Sequence, residues 1–123
     1  MLIEDSPSQA LQLRLLLERS GYRVVVVGDG AAGWRAAVDH PPRLILLDVE
    51  LPTLNGFQIL LRLKRDRVTA AIPVVMLTST EHISAVLRAL NLGAADYLPK
   101  PDAAQQLCAV VEQLLRLGEQ PEP

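Results

Sequence analysis

Six polar residues stand just past apolar runs that lie far apart in this chain. Glu4 and Asp5 follow "MLI", Asp48 follows "LILL", Thr78 and Ser79 follow "IPVVML", and Lys100 comes just after "ADYL". If those runs are parallel strands of one sheet, their carboxyl ends share an edge and the six residues converge there. Three carboxylates brought within a few ångströms repel one another, and burial worsens the repulsion. A divalent cation relieves that cost, and hard oxygen donors favour Mg²⁺. Three carboxylates, one ammonium and one such cation sum to zero charge. A set of this kind suits in-line phosphoryl transfer, which demands positioning and charge neutralisation.

The elements that would position these residues are legible from pattern. Strand-like runs occur at 1–3, 22–27, 44–47, 72–77 and 95–98, mostly continuous rather than alternating, as in strands covered on both faces. Helices are expected between them. Ser6 is a candidate N-cap with Pro7 at the first helical position, and Gly21 ends that helix. Asp29 or Gly30 opens a second helix, which stops before Pro41-Pro42. Asn55 caps a third, a fourth runs from about Glu81 to Leu92 with Gly93 as its stop, and Asp102 with Gln105 forms a variant capping box for the fifth. Strand followed by helix, five times, makes an α/β fold: an open parallel sheet between two helical layers. Met1 stands almost inside the first strand, so a trimmed start or an unusually short strand is expected. The domain is expected over 1–117, with 118–123, "GEQPEP", as a polar tail or linker.

Composition excludes several classes. The 123 residues suffice for one domain with a real core, and the net charge of −2 supplies no basic field for nucleic acid. Aromatic residues make up 3%, leaving few platforms for stacking bases. No apolar run approaches the ~20 residues of a membrane span, and no signal-peptide pattern opens the chain, so a cytoplasmic location is expected. The single cysteine, Cys108, rules out an internal disulfide and is expected in the core. His40 and His82 lack partners at metal or triad spacing. Trp34 is expected to be half-buried packing, and the basic residues from Arg62 to Arg67 a solvated patch.

Four segments, "IEDS" (3–6), "LILLDVELPTLNG" (44–56), "PVVMLTS" (73–79) and "GAADYLPKP" (93–101), each weak alone, occur in order at four predicted strand ends. Together they make the whole chain resemble the receiver domain of bacterial two-component response regulators, of the chemotaxis-receiver type. The resemblance implies a flavodoxin-like (βα)5 three-layer sandwich with strand order 2-1-3-4-5. It implies Asp48 as the phosphoacceptor, taking a phosphoryl group from a phosphohistidine. It also implies Asp5 as a direct Mg²⁺ ligand beside Asp48, Glu4 as a ligand through water, and the Glu50 backbone carbonyl as a further ligand. Thr78 resembles the hydroxyl that bonds a phosphoryl oxygen, Lys100 the cation that pairs with it, and Tyr97 the switch aromatic. A cis peptide is implied between Lys100 and Pro101. The implied partners are a sensor histidine kinase or histidine phosphotransfer protein, and a downstream effector domain or target protein. A homodimer through the 81–117 face is a further expectation. Neither nucleic acid nor membrane is an expected partner of this domain.

The pattern is departed from at Asn55, where an aspartate is common, at Ala95, where an acid is common, and at Leu51 and Leu54, where methionines are frequent. None of these touches the chemistry. Glu50 and Thr80 occupy variable positions beside the site that, in the family, influence phosphate lifetime. The domain is expected to phosphorylate and dephosphorylate itself rather than turn over a substrate. Two rivals are a receiver-like module that binds partners without being phosphorylated, and a Mg²⁺-dependent phosphohydrolase suggested by "DVE" at 48–50. The filled functional positions count against the first. Against the second stand the short chain and a nucleophile on the third strand rather than the first.

Overall fold

The long aliphatic runs form the middle of one parallel sheet. The structure, a computed structural model, describes residues 1–52, 54–79, 83–100 and 103–119, with the backbone alone at 103–105 and 118–119. Elements alternate as β1 (Leu2–Ile3), α1 (Pro7–Arg19), β2 (Val26–Val27), α2 (Gly30–Asp39) and β3 (Ile45–Asp48). They continue as α3 (Gly56–Arg65), β4 (Val74–Thr78), α4 (Ile83–Asn91), β5 (Asp96–Pro99) and α5 (Ala103–Glu119). All pairings are parallel, in the order β2-β1-β3-β4-β5.

The apolar residues of β3 do not alternate with polar ones because both faces of the strand are covered. Ile45 and Leu47 join Ile3, Ile59, Leu63, Val74 and Met76 in the core beneath α2, α3 and α4. Leu44 and Leu46 join Leu2, Leu17, Val75, Leu77, Leu107 and Val111 beneath α1 and α5. Burying side chains of this size is worth about 1.5–3 kcal/mol each, so the two cores hold the sheet from both sides.

The helix starts follow from their caps. Ser6 Oγ accepts from the Gln9 N–H with Pro7 at the first helical position, and Asp29 accepts from the Ala32 N–H. Asn55 and Gln58 form a reciprocal capping box at α3, satisfying two otherwise orphaned N–H groups. Gly21 and Gly93 have φ of +92° and +100°, the left-handed conformation expected where a helix stops.

Several expectations need adjustment. The run 22–27 is strand only at Val26–Val27, because β2 is the sheet edge and one side of it has no neighbour: Val25 is 59% exposed. The first strand is indeed short. The basic residues of α3 are not uniformly solvated. The Lys64 ammonium donates to the carbonyls of Ala70 (3.1 Å) and Ile72 (2.7 Å), and burial lowers its pKa. The Arg62 guanidinium lies 5.6 Å from the centroid of the Trp34 ring. α5 runs to Glu119. Cys108 is part-buried, packs against the α1/α5 core and accepts from Ser20 Oγ. The expected start of α4 at Glu81, the side chain of His82, and the Asp102–Gln105 cap lie outside the described residues.

Candidate functional site

Strand register brings the singled-out residues together. Ile3 is level with Leu47, so Glu4 emerges beside Asp48 at the carboxyl end of the sheet. Asp48 is level with Leu77, and Thr78 with Pro99. The Lys100 N–H donates to the Thr78 carbonyl at 2.6 Å, which carries the register one residue past β5. The start of α3 presses on the same edge. A Cβ on Gly56 would stand 2.4 Å from the Asp48 carbonyl oxygen and 2.7 Å from Val49 Cα, so only glycine permits that approach. The Gly56 N–H donates to the Val49 carbonyl at 2.9 Å.

Glu4, Asp5 and Asp48 can each direct a carboxylate oxygen to within 4.8 Å of the others. Glu4 and Asp48 are each only 2% exposed, while Asp5 is open to solvent. The Lys100 ammonium sits among them, 2.6 Å from Glu4 Oε1 and 3.3 Å from Asp48 Oδ1. It also donates to Gln9 Oε1 at 2.7 Å. Asp48 Oδ1 accepts the Glu50 N–H at 3.0 Å. Thr78, fully buried, directs its hydroxyl to Glu50 Oε1 at 3.5 Å.

The electrostatics are those of too many acids in too little water. Burial, then the adjoining Asp48 carboxylate, push the Glu4 pKa up to about 7, against the pull of Lys100. Burial alone would lower the Lys100 pKa, but its bonds to Glu4 and Asp48 outweigh this and raise it. Glu4 Oε2 is buried with no hydrogen-bond partner. A buried carboxylate oxygen without a donor is costly, and a cation is one species that would satisfy it. Three acids with an orphaned oxygen among them therefore fit a hard divalent cation.

A family profile of the response regulator receiver domain matches residues 1–112. The chain belongs to the response regulator receiver domain family. Receivers are signalling domains, and relatives with the same fold come from varied proteins. Over 116 residues this receiver is 40% identical to the DNA-binding dual master transcriptional regulator RpaA of Synechocystis, covering 94% of this chain and 48% of that protein. It is 32% identical to Protein PilH of Pseudomonas aeruginosa, covering 94% of this chain and 95% of PilH. The chain thus spans about half the length of the transcriptional regulators it matches, and nearly all of PilH. Among solved structures, the receiver domain of a signal transduction histidine kinase from Syntrophus aciditrophicus superposes with a TM-score of 0.88 at 34% identity, covering 98% of this chain and 92% of that one. The receiver domain of a sensor histidine kinase from Pseudomonas aeruginosa, solved with a magnesium ion coordinated in its active-site cleft, gives 0.85 at 28% identity, covering 94% of each chain. The flavodoxin-like (βα)5 architecture is that of these neighbours.

Within this receiver, Glu4, Asp5, Asp48, Thr78 and Lys100 meet at one edge. Tyr97, on β5, is part-buried against the α2–α4 core. Pro101, and with it the expected cis peptide after Lys100, lies outside the described residues. Two contacts were not anticipated. Gln9 reaches Lys100 from the first turn of α1, a contact that no local sequence pattern signals. The second is the Glu50 side chain: its Oε1 accepts from both the hydroxyl and the N–H of Ser79, the latter at 3.3 Å. No helix among the described residues is long and apolar enough to cross a membrane.

Proposed function

We propose that this receiver takes a phosphoryl group from the phosphohistidine of a sensor histidine kinase or histidine phosphotransfer protein onto Asp48. The observation that carries the reading is the setting of Asp48. Its carboxylate is nearly sealed from water, is fixed by the Glu50 N–H, and stands 3.3 Å from the Lys100 ammonium. An Asp48 oxygen attacks phosphorus, the phosphorus–nitrogen bond breaks, and the imidazole leaves with the electron pair and takes up a proton. Lys100 pairs with the negative oxygens of the group in flight in this reading, and Thr78 donates to one of them. Glu4, Asp5, Asp48 and the Glu50 carbonyl would hold Mg²⁺, which when bound supplies further charge neutralisation on the phosphoryl oxygens.

Loss of the group is hydrolysis: water attacks phosphorus, the bond to the Asp48 oxygen breaks, and the carboxylate returns with inorganic phosphate released. Each cycle consumes one donor phosphoryl, and the slow loss of the group makes the domain a switch. The phosphorylated state, through Thr78 and Tyr97, alters the face made by α4, β5 and α5, which meets an effector domain or target protein, or a second copy. The setting is the cytoplasm.

Incubation with a small acyl-phosphate donor and Mg²⁺ tests this. One stoichiometric, slowly lost phosphoryl per chain supports it. Continuous release of phosphate from a phosphomonoester would favour a phosphohydrolase, and no labelling a phosphorylation-independent binding module.

A further inference from the structure

Glu50 touches both halves of the site. Its N–H holds Asp48 Oδ1 at 3.0 Å, while its side-chain Oε1 gathers donors from the end of β4. Those donors are the Ser79 hydroxyl, the Ser79 N–H at 3.3 Å and the Thr78 hydroxyl at 3.5 Å. One carboxylate oxygen thus ties the β3–α3 loop to the segment that leaves β4.

We infer that Glu50 is a positioning residue whose side chain acts as an internal competitor of the phosphoryl group, restraining Ser79 and Thr78 until Asp48 is phosphorylated. The inference rests on the phosphoacceptor reading of Asp48. A hydroxyl carries one proton, so Thr78 cannot donate to Glu50 and to a phosphoryl oxygen at once. The two acceptors also repel, since a phosphoryl group on Asp48 places negative charge beside a carboxylate anchored two residues along the chain. Phosphorylation therefore requires Glu50 to give up at least its bond with Thr78, and movement of Ser79 toward the site requires the other two bonds to break. The anchor is Ser79: its hydroxyl and N–H hold Oε1, and Thr78 is reached from there. The resting arrangement is stabilised by these bonds, and occupancy of Asp48 must overcome them.

The test is binding of beryllofluoride, a phosphoryl mimic, to the whole chain at saturating Mg²⁺. Calorimetry would compare wild type, Asp48→Asn, Glu50→Ala, Glu50→Gln and Ser79→Ala, with Mg²⁺ affinity measured first for each. Wild type binds and Asp48→Asn does not, if the phosphoacceptor reading holds. Failure of either arm overturns that reading and the inference with it. Given binding, the loss of a restraining hydrogen bond tightens the affinity of Ser79→Ala by about fivefold, and Glu50→Ala, which also loses the repelling charge, tightens by more. Ser79→Ala is the discriminating variant, because it leaves the Glu50 charge in place. If the two Glu50 variants tighten equally and Ser79→Ala matches wild type, only charge repulsion operates and the restraint is refuted. Equal affinity in all four competent chains refutes it as well. The amide resonance of Ser79 gives an independent reading: without beryllofluoride, Glu50→Ala moves it toward its position in the wild-type complex, and an unmoved resonance contradicts the restraint.

Discussion

Lys100 Nζ lies 2.6 Å from Glu4 Oε1, joining residues 96 positions apart across the head of the sheet. Glu4 is buried and Lys100 part-buried, and the pair is incomplete, because Glu4 Oε2 has no donor and Lys100 shares its protons with Gln9 and Asp48.

Glu4 makes the metal-free protein sensitive to pH. Its folded pKa of about 7 exceeds its ordinary value of 4.5, so the folded state favours the protonated acid. The stabilising contribution is complete below 4.5 and is lost as pH rises through about 7. Urea unfolding at about pH 5 and about pH 8 should show wild type losing stability relative to Glu4→Gln. Mg²⁺ affinity should rise over the same window, because the proton must leave first. An unchanged gap between the two proteins would contradict the assignment.

Metal binding should depend on Asp5 more than on its exposure suggests. Asp5→Asn is expected to weaken Mg²⁺ binding by at least about tenfold, with Glu4→Gln doing less. Calorimetric titration measures both. Equal affinity in wild type and Asp5→Asn would remove Asp5 from the ligand set.

Gly56 has a packing role with a functional consequence. Gly56→Ala would drive a methyl group into main-chain atoms of Asp48 and Val49, which cannot move aside as a flexible side chain would. A loss of roughly 1–3 kcal/mol is expected, with slower labelling of Asp48. Gly28→Ala is the control: its Cβ meets nothing nearer than the Glu4 carbonyl at 3.9 Å, and its stability should stay within about 0.5 kcal/mol of wild type. Equal stability of the two variants would show that α3 can withdraw from β3 at no cost.

These contacts mark the limit of what sequence discloses. β3 and β4 are legible because burial on both faces leaves an uninterrupted aliphatic run, and the polar residues that end each run mark a candidate site. β2 is shorter than its sequence suggests, since four consecutive valines look the same in a central strand and in an edge strand where Val25 is exposed. Residue type marked Gln9, Lys64 and the Glu50 side chain as polar, but their partners depend on side-chain reach across loops. Gln9 meets a lysine 91 positions away, and Glu50 a serine 29 away. No local pattern encodes such pairings.

Thr78 should separate chemistry from response. Thr78→Ala keeps Asp48, Lys100 and the acids, so it should still be labelled to one phosphoryl per chain, though more slowly. The switched arrangement of the segment after β4 should nevertheless fail to form. Shifting a switch from mostly off to mostly on takes several kcal/mol, and one charge-assisted bond supplies only about 1.5–3 kcal/mol, so the segment and Tyr97 must move together. Hydrogen exchange over residues 83–98 should therefore change with beryllofluoride in wild type and not in Thr78→Ala. Identical wild-type profiles with and without the mimic would mean that no such switch operates.

The most direct test of the account is the address of the phosphoryl group. Wild type and Asp48→Asn are incubated with a small acyl-phosphate donor and Mg²⁺, weighed intact, and the labelled protein is trapped by borohydride reduction and mapped by peptide sequencing. The account predicts one phosphoryl per wild-type chain, reduction confined to residue 48, and no label on Asp48→Asn. Full labelling of Asp48→Asn, or a trapped group on Asp5, Glu4 or Glu50 in wild type, would contradict it.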